Sequence, residues 1–232
     1  MSSTLPKDLS LLDDGARLSS FEAPLLDSRE DAQLHALVEE ASRVSGFPIA
    51  LVSLVVRRIQ FFKEQVGLPP DLRAARATDR CTSFCQYVVA GQQPLQIEDA
   101  AREAGLPQDL VENYGIRAYV GFPLHVRGQV VGSFCVIHTL PAKLPPEVLA
   151  RLEVLARQAS ARLEALVRQE GAGSGSEQAP QAREAWMAVA ETQPLLKLSE
   201  QFAEGRLSLE EFQRGVAALS GVTEAGGTGQ SR

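Results

Sequence analysis

No stretch of this chain is apolar for long enough to cross a membrane. The longest near-continuous apolar run, residues 48–56, is under half of a spanning helix. The N-terminus has neither the basic region nor the apolar core of a secretory signal. Cysteine is sparse and odd in number, three in 232 residues. That count excludes a disulfide framework and points to a reducing, cytoplasmic setting. Histidine is as rare: His35, His125 and His138 are scattered, and no Cys-x-x-Cys or His-x-x-x-His spacing exists to seat a metal. A basic excess is missing too. The net charge of −6 argues against a nucleic-acid or anionic-membrane partner. No glycine-rich phosphate loop follows a strand, since the glycines from Gly171 onward follow a helical pattern. No cofactor or metal is therefore expected.

What remains is ordinary globular material, 44% hydrophobic and 22% charged, enough for one sizeable core with extensions. Residues 1–16 have poor periodicity and read as an N-terminal extension. A helix is expected to start at Ser28, with Asp31 reaching back in a capping box. Leu34, Leu37, Val38, Ala41 and Val44 share one face, and Gly46 stops it.

Residues 48–56 are β-branched and bounded by stops, hence a buried strand, with a second strand over 60–66. Residues 70–80 read as polar loop or short helix, 84–90 as a short helix and 94–98 as a short strand. One or two short helices follow over 99–113, with Pro107 at a break. Strands over 119–126 and 129–137, joined by Arg127-Gly128, form a hairpin whose two-residue turn sets the register.

The longest helix spans 146–170, with proline at its start. Its seam of Leu149, Leu152, Ala156, Ala159, Leu163 and Leu166 suits either a face laid on the sheet or a dimer helix. Residues 171–180 form a glycine- and serine-rich linker. Beyond it, 181–220 carries helical stripes containing Trp186, Val189, Leu198, Phe202, Leu209, Phe212, Val216 and Leu219, expected to dock on a partner. Residues 221–232 read as disordered. The fold class is α+β: an antiparallel sheet of five to six strands with helices on one side.

Ser-Phe-Cys occurs twice, at Ser83–Cys85 and Ser133–Cys135. One copy opens a short helix and the other lies mid-strand, so both read as packing landmarks, because free cysteine is commonly a small buried hydrophobe. Cys81, flanked by polar residues, keeps the better claim to chemistry. On a helix, Cys81 and Cys85 would share a face.

Several blocks in order, PIALVSLV (48–55), QFFKEQVGL (60–68), DRCTSFCQYVV (79–89), PLQIEDA (94–100), GIRAYVGFPL (115–124) and VGSFCVIHTLP (131–141), resemble a GAF domain. The resemblance spans roughly residues 17–168, within a domain expected over 17–170. It is closest to the subtype at the front of bacterial sensor histidine kinases and diguanylate cyclases. It implies a PAS-like fold with a cavity between sheet and short helices. By that resemblance the ligand-facing residues are Cys81, Phe84, Cys85, Tyr87, Asp99, Tyr114, Arg117 and Tyr119, with Arg117 suited to an anion or to a salt bridge with Asp99 or Glu98.

The chain departs from the subtype at Gln86-Tyr87, at His138 and at Arg57-Arg58, where Ala-His and acidic residues are usual. It also lacks the motifs of bilin- and cyclic-nucleotide-binding members. The leading expectation is a non-catalytic bacterial sensor, homodimeric through its flanking helices, that relays to a signalling protein through its tail. One alternative is a thiol-based redox sensor or free methionine-sulfoxide-reductase-like enzyme using Cys81 or Cys85 with Cys135. The other is a purely structural dimerisation adaptor.

Overall fold

The computed structural model describes residues 5–27 and 29–173, together with Glu211 and Arg214. The elements in order are α1 (Gly15–Leu18), α2 (Ala23–Leu26), α3 (Ala32–Ser45), β1 (Ile49–Val55), β2 (Ile59–Val66), α4 (Pro70–Ala75), β3 (Ala77–Asp79), α5 (Cys85–Gly91), β4 (Leu95–Ile97), α6 (Asp109–Tyr114), β5 (Ala118–Val126), β6 (Gln129–His138) and α7 (Pro146–Gly173). Six strands form one antiparallel sheet in the order β3-β2-β1-β6-β5-β4. Among the described residues no helix is long and apolar enough to cross a membrane.

Local chemistry explains most boundaries. Asp31, rather than Ser28, caps α3: its carboxylate accepts from the Leu34 amide at 3.0 Å. Gly46 ends that helix in the left-handed region, φ 70°. Arg127 and Gly128, both at positive φ, make the tight β5–β6 turn. The short β3 replaces part of the expected polar loop; Ala77 and Thr78 pair with Phe61 and Gln60 at the β2 edge. Edge pairing of this kind leaves little periodic trace in three residues.

Helices cover both faces of the sheet, not one. Because strand side chains alternate, each central strand feeds two cores. Ala50, Val52, Leu54, Val120, Phe122, Phe134 and Val136 pack toward α3 and α7. Leu51, Val55, Tyr119, Cys135 and Ile137 pack toward α5 and the N-terminal segment. A stripe of Leu152, Ala156, Ala159, Leu163 and Val167 seats α7 on the first core, all of it at most 2% exposed. The α7 seam is thus used within the chain, which leaves arginine and glutamate on its outer face.

The segment ahead of residue 17 packs into the second core. Leu12 is fully buried there, with Leu5 and Leu9 against the same cluster. Arg17, 1% exposed, fastens this segment by donating to the backbone carbonyls of Leu11, Leu12 and Val55. Carbonyls rather than a carboxylate satisfy the guanidinium, and burial lowers it to about 10.

Candidate functional site: a buried dithiol in a polar strip

Four polar residues interrupt the second core where the apolar pattern would continue: Ser53 on β1, Gln60 on β2, Ser83 ahead of α5 and Ser133 on β6, all at most 4% exposed. Register brings them together. Ser53 lies opposite Ser133, and Leu51 and Gly121 both lie opposite Cys135. From above, Ser83 Oγ accepts from the Cys85 amide at 3.0 Å, which sets the start of α5 directly over β6.

The two Ser-Phe-Cys copies meet here. Cys85 Sγ and Cys135 Sγ are 3.8 Å apart, both thiols free and buried. Gln60 Nε2 donates to Cys85 Sγ at 3.3 Å and to Ser53 Oγ at 2.7 Å. The Tyr119 hydroxyl donates to Cys85 Sγ at 3.4 Å and shares a hydrogen bond with Ser133 Oγ at 3.0 Å. The Phe84 ring meets Tyr119 edge to face at 5.7 Å. Gly121 makes room: a Cβ there would overlap the Tyr119 hydroxyl and stand 2.6 Å from Ser133 Oγ.

Burial by itself raises a thiol, but the donors converging on the Cys85 sulfur outweigh it and bring Cys85 below the ordinary value. Burial, and then the facing Cys85, push Cys135 well up, against the smaller opposing effect of the Tyr119 and Ser133 hydroxyls. The pair is asymmetric: Gln60 and Tyr119 both donate to the Cys85 sulfur, which makes it the better able to carry charge, and either thiol can donate across the contact between them. Such a pair can exchange electrons with a small oxidant. Its burial excludes a bulky substrate.

Of the residues expected at the site, Phe84, Cys85 and Tyr119 converge in this strip. The others do not. Cys81 is exposed on the turn after β3; partial burial and the Asp79 carboxylate push its thiol up to about 11, the reverse of activation. Tyr87 donates to the Gly105 carbonyl at 2.9 Å, and Tyr114 to Asp71 at 2.7 Å. Arg117 grips Asp99 with two hydrogen bonds of 2.7 and 2.8 Å, which hold that carboxyl below its usual range.

Asp99 borders an open cleft of about 560 Å³ together with Arg102 and Lys143, and the Asp99–Arg117 pair lines a second one of about 380 Å³. Lys143 pairs with Glu98 at 2.6 Å and Arg102 with Asp99 at 3.3 Å, so the charges there are internally matched. The expected partner residues Trp186, Val189, Leu198, Phe202, Leu209, Phe212, Val216 and Leu219 lie outside the described residues. Ser53 and Gln60 were not singled out in the sequence, and Ser83 and Ser133 stood out there only as part of the Ser-Phe-Cys repeat. For Ser53 and Ser133 the available signal was a polar side chain inside a mostly apolar strand.

The GAF domain family model matches residues 29–163. Over 146 residues the chain is 32% identical to a cyclic di-GMP phosphodiesterase of Pseudomonas aeruginosa, an alignment covering 61% of this chain and 24% of that protein. The chain therefore spans about a quarter of its curated relative. Among solved structures, the GAF domain/HD domain protein of Geobacter sulfurreducens is similar in fold, with 18% identity and a TM-score of 0.51 over 61% of this chain and 95% of that one. The blue-light absorbing form of the Thermosynechococcus elongatus PixJ GAF-domain is 18% identical, with a TM-score of 0.49 over 72% of this chain and 95% of that one.

Proposed function

Because the chain belongs to the GAF domain family, we propose that it is a non-catalytic sensory module of a bacterial signalling system, working in the cytoplasm. It reads the state of the buried polar strip and passes that state to a partner through α7. The hydrolytic activity named for the P. aeruginosa relative is not carried over, since the likeness covers only 24% of that protein.

One observation carries this reading: the strands that hold the site also seat the outgoing helix. Tyr119 and Cys135 point into the site, while their neighbours Val120, Phe134 and Val136 belong to the core that holds α7. A close-packed interior transmits small displacements rather than absorbing them. A change at Tyr119 or Cys135 therefore shifts the floor beneath Leu152, Ala156 and Ala159. With that apolar stripe occupied inside the chain, homodimer or partner contacts fall to the outer face of α7, where Val154 is 44% exposed, and to the tail.

Hydrogen–deuterium exchange on the full chain tests the relay. Tyr119→Phe removes one hydroxyl and leaves the ring in place. The expected result is faster exchange in α5, β5 and β6 and also along 146–173. A change confined to α5 and the two strands, with α7 as in the parent, would overturn the reading.

A further inference from the structure

We propose that Cys85 and Cys135 form a redox-modification site, a buried dithiol that hydrogen peroxide converts to an intramolecular disulfide. This deepens the sensory reading by naming the chemistry that sets the site's state, and it rests on that reading only for the consequence at α7.

Geometry makes the case. The sulfurs are already in contact at 3.8 Å and must close to about 2.05 Å. Cys135 is fixed mid-strand between β1 and β5, so the closing movement belongs to Cys85 at the first position of α5. α5 is seven residues long, a short element that shifts at lower cost than a central strand. Gln60 and Tyr119 both donate to the Cys85 sulfur. Those bonds favour a charged sulfur there and give the pair distinct roles, an attacking Cys85 and a resolving Cys135.

The electrons balance as follows. The Cys85 thiolate attacks one peroxide oxygen; the O–O bond breaks, leaving a sulfenic acid on Cys85 and a hydroxide. That hydroxide takes the Cys135 proton and becomes water. The Cys135 thiolate then attacks Cys85 Sγ, forming the S–S bond and breaking the S–O bond. The departing hydroxide, protonated from solvent, is the second water. Peroxide gains the two electrons that the thiols lose. Peroxide is little larger than water, so local opening around α5 is enough to admit it.

Once formed, the disulfide pulls α5 toward the sheet and deprives Gln60 and Tyr119 of their thiolate acceptor. Tyr119 is then held by Ser133 alone. The change thus falls on the two strands that seat α7.

The test treats the full chain with hydrogen peroxide, blocks remaining thiols after denaturation, and maps unreduced peptides by mass spectrometry. The expected product joins the Cys85 peptide to the Cys135 peptide with the loss of two hydrogens, disappears on reduction, and forms equally in Cys81→Ser. In Cys135→Ser the link is absent and Cys85 is trapped as a sulfenate by dimedone. Recovery of both wild-type thiols in blocked form, at peroxide doses that consume free glutathione, would overturn the proposal; so would links formed only through Cys81. Exchange measurements on the oxidised chain separate the two ideas. A Cys85–Cys135 link with α7 unchanged leaves the dithiol standing and removes the relay.

Discussion

Tyr119 lies flat along β5 over Gly121, and its hydroxyl occupies the space that a Cβ at position 121 would need. The two residues are neighbours on one face of the strand, so the missing side chain of one defines the pose of the other. This pose places the hydroxyl between Cys85 and Ser133.

Gly121→Ala should therefore destabilise the protein by about 1–3 kcal/mol, the usual range for overpacking a filled core. The clash involves Tyr119, so the same change should cost less in a Tyr119→Phe background. Urea unfolding of the four members of the cycle measures the coupling. Strictly additive losses would count against the contact.

Cys81 should react slowly despite its exposure. Its thiol stands at about 11, raised by partial burial and by Asp79. At pH 8 almost none is thiolate, and iodoacetamide should modify it roughly tenfold more slowly than free cysteine. Asp79→Asn should speed the reaction. A rate equal to that of free cysteine would show that Asp79 does not govern this thiol.

Acid should expose the contribution of Asp31. Burial pushes this carboxyl up, but the Arg162 guanidinium and the Leu34 amide outweigh it and hold it below its usual range. A group whose folded pKa is depressed stabilises fully above the unfolded value, about 3.9, and loses that contribution as pH falls through the folded one. Asp31→Ala should lose about 1–2 kcal/mol at pH 7, as for a lost helix cap. The gap between variant and parent should narrow below pH ~4. A gap that stays constant to pH ~2 would refute the ion pair as its source.

Leu12 should behave as a core residue, although it precedes the family match. It is fully buried among Leu51, Phe84 and Val88, so Leu12→Ala should cost about 2–5 kcal/mol. Leu140, 63% exposed, is the control, expected within about 0.5 kcal/mol of the parent. Thermal unfolding of both variants checks the pair.

Much of the fold was legible because its signals are local. The β-branched run at 48–56, the turn at Arg127-Gly128 and the stop at Gly46 each depend on residues a few positions apart. The misses have the same explanation inverted. β3 is three residues long and exists only because β2 offers an edge. Helices on both faces follow from which strand face each one covers, and spacing along the chain carries nothing of that. Of the candidate site, the family resemblance singled out Phe84, Cys85 and Tyr119, as ligand-facing residues rather than as parts of a dithiol. Ser83 and Ser133 stood out only as part of the Ser-Phe-Cys repeat, and neither Ser53 nor Gln60 was singled out.

The repeated Ser-Phe-Cys marks the boundary between the two kinds of information. The chain alone determined that each copy would sit in apolar surroundings, one opening a helix and one inside a strand. Only the tertiary structure decided that they meet. Strand pairing places Ser53 and Leu51 opposite Ser133 and Cys135, and Ser83 holds Cys85 above them. A separation of fifty residues closes to 3.8 Å through that register, and register depends on every pairing between the two copies rather than on either one.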